Sequence, residues 1–162
     1  MRITILGVGA AIALSVGGAN AATLTASTGL ASPDVLIDFE GTGLANSSLI
    51  TTEISGVTFT PGLFLSPFGL VAPSTIPGVD NENGVNAEPT GIAFDSDVTD
   101  VSFGFATEPG IATTITALTG GFGGSLVETL SLTTTADDPN QAFLGFTGIL
   151  FDSIIIETGD DF

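Results

Sequence analysis

Residues 111–134, "IATTITALTGGFGGSLVETLSLTT", hold two β-branched and apolar runs on either side of a glycine-rich centre, and their reading decides the fold. Thr, Ile and Val lose side-chain freedom in a helix and pack well on a pleated backbone. Residues 111–118 and 126–134 therefore read as strands. "TGGFGGS", residues 119–125, reads as the hairpin turn between them, where Gly takes positive φ without steric cost. The turn also resembles the G-G-x-G-x-D nonapeptide of calcium-binding β-rolls, but Ser125 stands where the aspartate belongs and one imperfect copy makes no repeat. Leu126, Leu130 and Leu132 share a parity with Glu128 between them, which predicts a buried face that opens to solvent near Glu128.

The same pattern continues in both directions. Residues 34–39 ("DVLIDF"), 48–59 ("SLITTEISGVTF"), 62–71 ("GLFLSPFGLV"), 91–94 ("GIAF") and 98–106 ("VTDVSFGFA") are short strand candidates separated by Gly, Pro, Asn and Asp. Residues 142–146 ("AFLGF") and 149–157 ("ILFDSIIIE") follow. No window sustains an apolar i, i+3, i+4, i+7 stripe, so the residues argue for an all-β sandwich or barrel. Val101, Phe103 and Phe105 face one way, and Ser102 and Gly104 the other, as in a strand with one buried side. Ile154, Ile155 and Ile156 put apolar groups on both faces, which fits a strand central to a two-layer core or one awaiting a partner.

Residues 72–90, "APSTIPGVDNENGVNAEPT", form the longest irregular stretch, with Pro73, Pro77 and Pro89 opposing regular pairing. "DNENG" is only superficially like an EF-hand loop, because with Gly84 in the glycine slot the first ligand would be Val79. A solvated loop is expected there. Asn46, Ser47 and Ser48 match the N-x-[ST] acceptor pattern, and a polar turn is their simpler role.

The chain begins with Arg2, an apolar run and the small-residue site Ala19-Asn20-Ala21. This is the pattern of a secretory signal peptide over residues 1–21, expected to be helical and cleaved after Ala21. An uncleaved anchor is the competing reading, since residues 3–22 as a helix reach about 30 Å. No second apolar run approaches about 20 residues, so no membrane span is expected after cleavage. Residues 22–33 then form a linker or edge strand, and residues 34–162 a single domain that buries roughly 68% of its unfolded surface.

Arg2 is the one basic residue in a chain with 18 acidic ones, no His and no Cys. Catalysis of the Ser-His or Cys-His kind, Schiff-base lysines and arginine fingers are excluded by inventory. Zinc would have only oxygen ligands, and direct binding of nucleic acid lacks the Lys and Arg it relies on. Carboxylate pairs at Asp38 with Glu40, Asp95 with Asp97 and Asp137 with Asp138 leave a carboxylate-only glycosidase as the remaining enzymatic option. Sugar sites normally offer Trp or Tyr platforms, and this chain has only Phe. A non-enzymatic protein is expected.

"VLIDFEGTGLANSSLITTEISGVTFT", "GIAFDSDVTDVSFGFAT" and "GFTGILFDSIIIETGDDF" together resemble the extracellular domain of bacterial PEP-CTERM sorting-domain proteins. The shared features are an early strand with Phe and Glu, a Gly-x-x-Phe strand at Gly56 and Phe59, a V-x-F-x-F strand, and a late strand leading into an acidic turn. The resemblance implies a jelly-roll-like antiparallel β-sandwich of roughly 8–10 strands, export, and a place at the cell surface or in extracellular polymer. Proteins of that group continue into a final strand and an anchor; here the sequence stops at Phe162, so the domain is expected to lack its last strand. Free secretion, or a cut end of a longer protein, is the corresponding expectation. Related carbohydrate-binding jelly rolls imply a structural Ca²⁺ between first and last strands, with Asp38 or Glu40 facing Asp160 or Asp161, and Asp152 as an outsider. Crowded carboxylates gain from a cation, and Ca²⁺ takes six to eight oxygens in general. Exposed Phe64, Phe68 and Phe122 are the candidate contacts to an extracellular polysaccharide. Matrix proteins, or a second copy pairing with an unpaired edge beside Ile154 and Ile156, are the other expected partners.

Overall fold

A computed structural model describes residues 2–5, 22–26, 29–37, 43–45, 48–66, 78–80, 89–104, 110–133 and 143–158. These contain thirteen strands and no helix: β1 (Arg2–Ile5), β2 (Ala22–Ala26), β3 (Val35–Ile37), β4 (Leu49–Ile50), β5 (Val57–Thr60), β6 (Leu63–Ser66) and β7 (Gly78–Asp80) come first. Then follow β8 (Thr90–Val98), β9 (Asp100–Gly104), β10 (Ala112–Thr119), β11 (Ser125–Thr133), β12 (Phe143–Thr147) and β13 (Phe151–Thr158). Sheet I has the order β2-β12-β9-β1-β3, sheet II β11-β10-β13-β8-β5, and the small sheet III β4-β6-β7. Pairings are antiparallel except those of β1, which runs parallel to both β3 and β9.

The three sheets share one core. Val101, Phe103, Leu144 and Phe146 come from sheet I, Phe59, Ile92, Ile115, Ile154 and Ile156 from sheet II, and Ile50 and Leu63 from sheet III. Aromatic edges join the two large sheets: Phe146 meets Phe151 at a centroid distance of 5.8 Å, and Phe151 meets Phe94 at 5.9 Å, both T-shaped. That geometry aligns the positive ring edge of one with the negative face of the next. Burying each such side chain contributes about 1.5–3 kcal/mol.

The glycine-rich centre is the expected turn, with Gly120 at φ 91° and Gly121 at φ 78°. The alternation on its far side is broken, however. The β10–β11 register shifts between Ala117 and Leu118, so Leu126 pairs with Leu118 on the outer face and is 64% exposed, while Leu130 is buried. A bulge of this kind moves every later side chain to the opposite face.

Four other expectations are corrected. Ser102 is as buried as Val101, because the segment before β3 crosses sheet I and Leu30 donates its N–H to the Ser102 hydroxyl at 3.0 Å. Of the two readings of Ile154, Ile155 and Ile156, the central strand is the one found and the unpaired edge is not: β13 pairs with β10 on one side and β8 on the other. Residues 48–59 make two strands, split where Glu53 accepts the amide N–H groups of Thr51 and Thr52. Finally, Arg2–Ile5 is a strand rather than the start of a helix, and residues 6–21 lie outside the described residues. Residues 22–26 do form an edge strand, β2, and the irregular 72–90 stretch contains the short β7.

Candidate functional site

The described part of the molecule offers two built constellations and one exposed surface. The first is the β10–β11 turn. Asp152, on β13, turns its carboxylate to the amide N–H groups of Gly120 (2.6 Å) and Gly121 (2.9 Å), and Ser153 donates its hydroxyl to the same group at 2.9 Å. Those donors, the Gly120 N–H above all and then that of Gly121, hold the Asp152 carboxyl below its usual range, because they favour the charged form. Glu53 is held low by the Thr51 N–H foremost, in the same manner.

Pinned in this way, the turn folds over the outer face of sheet II. The ring of Phe122 lies on Gly91 of β8, where an added Cβ would sit 2.6 Å from the ring's Cε1. Gly91 is buried although it stands on an outer face, in register with Ile155 and Thr60. An aromatic ring over a strand glycine supplies the cover that the glycine lacks.

The second constellation lies at one end of sheet I. Arg2 stands in register with Asp100. Its Nε approaches Asp100 Oδ2 at 3.3 Å, and its main-chain N–H donates to the Asp34 carboxylate at 3.0 Å. Asp34 returns its own N–H to the Arg2 carbonyl at 2.8 Å. The Asp100 side chain is 12% exposed, and it also accepts from the Thr99 hydroxyl (2.7 Å) and the Gly148 N–H (3.2 Å). Thus Arg2 joins two acids on either side of β1, Asp100 of β9 through its guanidinium and Asp34, just before β3, through its main-chain N–H.

The exposed surface is the outer face of β10 and β11. Thr116 faces Thr129, Thr114 faces Ser131 and Ala112 faces Thr133, which aligns hydroxyls along one side of sheet II. Such cross-strand hydroxyl pairs support one another and remain free to bond outward.

Of the residues expected to hold Ca²⁺, Asp38, Glu40, Asp160 and Asp161 lie outside the described residues. Asp152 is described, and both its oxygens are engaged by the turn. Among the described residues no three of Asp, Glu, His or Cys come together as metal ligands would. Of the expected ligand contacts, Phe122 covers Gly91, Phe64 stands in β6 opposite Asp80, and Phe68 lies outside the described residues. Sequence reasoning missed Asp34 and Asp100 altogether. The available signal was an acid on the apolar strand 98–106 at the parity of Ser102, together with a single cation in the whole chain. Among the described residues no helix is long and apolar enough to cross a membrane. Comparison of the chain with protein-family models, with curated proteins and with solved structures finds no match.

Proposed function

We propose that this chain is a non-enzymatic, secreted or cell-surface β-sandwich protein of jelly-roll type, a component of extracellular matrix or exopolymer. One observation carries the fold part of that reading. The strand pairings are nested, β10 with β11, β9 with β12, and β8 with β13, and they alternate between sheets II, I and II. A long hairpin folded over on itself produces such nesting, which is the logic of a jelly roll. Fold alone does not give function. A chain without His, Cys or Lys supports the non-enzymatic part, and the leader pattern of residues 1–21 supports the location.

Expression of the full chain with its own first residues in a Gram-negative host, followed by fractionation, tests the location. Recovery from the medium or cell surface supports it; retention in the cytoplasm overturns it. Calcium belongs to the same proposal: Asp38 or Glu40 with Asp160 or Asp161 would hold it, and its chemistry would be charge neutralisation between carboxylates. If Ca²⁺ binds only the folded protein, saturation near 100 times its dissociation constant adds about 2.7 kcal/mol. Identical thermal transitions in Ca²⁺ and in chelator would remove calcium from the proposal.

The hydroxyl rows of β10 and β11 favour a second reading, a polysaccharide-binding module. Its contact surface would be Thr116, Thr129, Thr114 and Ser131 rather than Phe. Absence of retention on an array of bacterial exopolysaccharides would dispose of it.

A further inference from the structure

We propose that removal of the leader turns the place of β1 into an internal docking slot for an extended, basic segment of another polypeptide. The proposal rests on the reading of residues 1–21 as a leader cleaved after Ala21.

β1 is not an edge strand. It lies between β3 and β9, level with Val35 and Val101 at Ile3 and with Ile37 and Phe103 at Ile5. Val101, Phe103 and Ile37 are buried core residues. Withdrawal of β1 leaves β9 paired only with β12 and takes from β3 its partner in sheet I. Two rows of backbone N–H and C=O groups then stand open beside apolar side chains, which is an unfavourable arrangement until a strand refills it. A strand entering there bonds on both sides, unlike one added to an outer edge.

Charge decides which strand fits. Arg2 places its main-chain N–H on Asp34 and its guanidinium on Asp100, whose side chain is largely buried. The chain has no other Lys or Arg and no His. A refilling segment taken from this chain, or from a second mature copy, therefore brings no basic side chain to that end of the slot. A foreign segment with Arg or Lys level with Asp100, followed by apolar residues level with Val101 and Phe103, restores both the ladder and the ion pair. An occupant that covers Asp100 without bringing a cation leaves its carboxylate to the Thr99 hydroxyl and the Gly148 N–H, which disfavours that occupant.

The test uses the exported full chain. Its mass gives the N-terminus, and the purified protein is then titrated with the synthetic peptide Arg-Ile-Thr-Ile-Leu, with the same peptide carrying Arg2→Glu, and with one carrying Thr4→Pro. The expected result is an N-terminus at Ala22, saturable binding that raises the melting temperature, at least tenfold weaker binding of the Arg2→Glu peptide, and none of the Thr4→Pro peptide. If the exported protein is unfolded alone and folds on peptide addition, the slot is supported equally. An N-terminus at Met1 overturns both the leader reading and the slot. An N-terminus at Ala22 with no response to peptide, or with a stable dimer that excludes it, leaves the leader reading standing and overturns the slot alone.

Discussion

The ring of Phe122 occupies the space in which Gly91 would carry a side chain, so a turn between β10 and β11 is seated on β8, two strands away in the sheet. Gly91→Ala should lift the ring and Phe122→Ala should uncover the glycine, each costing about 1 kcal/mol. Because both changes break the same contact, the double variant should lose less than the sum of the singles by at least about 0.5 kcal/mol. Urea denaturation of the four proteins measures this. Additive losses would mean that ring and glycine are independent.

Asp152 holds that turn from below. Asp152→Asn keeps the shape but weakens two charge-assisted hydrogen bonds, for a loss of about 1 kcal/mol once solvent screening is allowed for. The folded carboxyl titrates below its unfolded counterpart. Its contribution is thus complete above about pH 4 and is lost as the pH falls through the depressed value. Protonation elsewhere relieves repulsion among the acidic residues, so the difference between the two proteins is the quantity to follow. That difference should shrink toward zero as the pH falls below about 4 and through the depressed value. A constant difference would rule out the carboxylate as the cause.

Gly145 is a harder case than Gly91. Its φ is 156°, and an added Cβ would overlap the Val101 carbonyl oxygen on β9. Backbone cannot move aside as a loop ring can. Gly145→Ala should cost about 3 kcal/mol or more, against about 1 for Gly91→Ala. Equal midpoints for the two variants would contradict this ranking.

The isoleucine triplet separates core from surface within one strand. Ile154 is 0% exposed and Ile156 nearly so, whereas Ile155 looks outward beside Thr116 and Gly91. Ile154→Ala should cost about 2–5 kcal/mol and Ile155→Ala roughly 1. Similar losses at both sites would point to a β13 that is not sandwiched as described.

The strands from residue 89 onward were legible because alternation there is strong and turn residues bracket each run. The side of the sheet was less so. Leu126 obeys the parity of Leu130 on paper, but a bulge is a backbone event with no fixed residue signature, and it moved Leu126 into solvent. Ser102 read as exposed because a polar side chain on alternating parity does not reveal that another segment will cross over it. β1 was missed for a different reason: "RITI" is as good a strand as it is a leader head, and local sequence holds no preference between them. The role of Asp152 was hidden because its partners are main-chain amides about thirty residues away, which no side-chain motif records.

The nested pairing also sets an order in time. Joining β10 to β11 closes only the short turn at residues 120–124, and each outer pair becomes cheaper to close once the pair inside it exists. Assembly therefore proceeds from Gly121 outward, and the place between β3 and β9 is completed last. The first residues of the chain, β1, would thus take their place between β3 and β9 only after nearly everything else is fixed. Folding φ-values should accordingly be high for Ile115→Val and near zero for Val35→Ala; the reverse order would contradict growth from the centre.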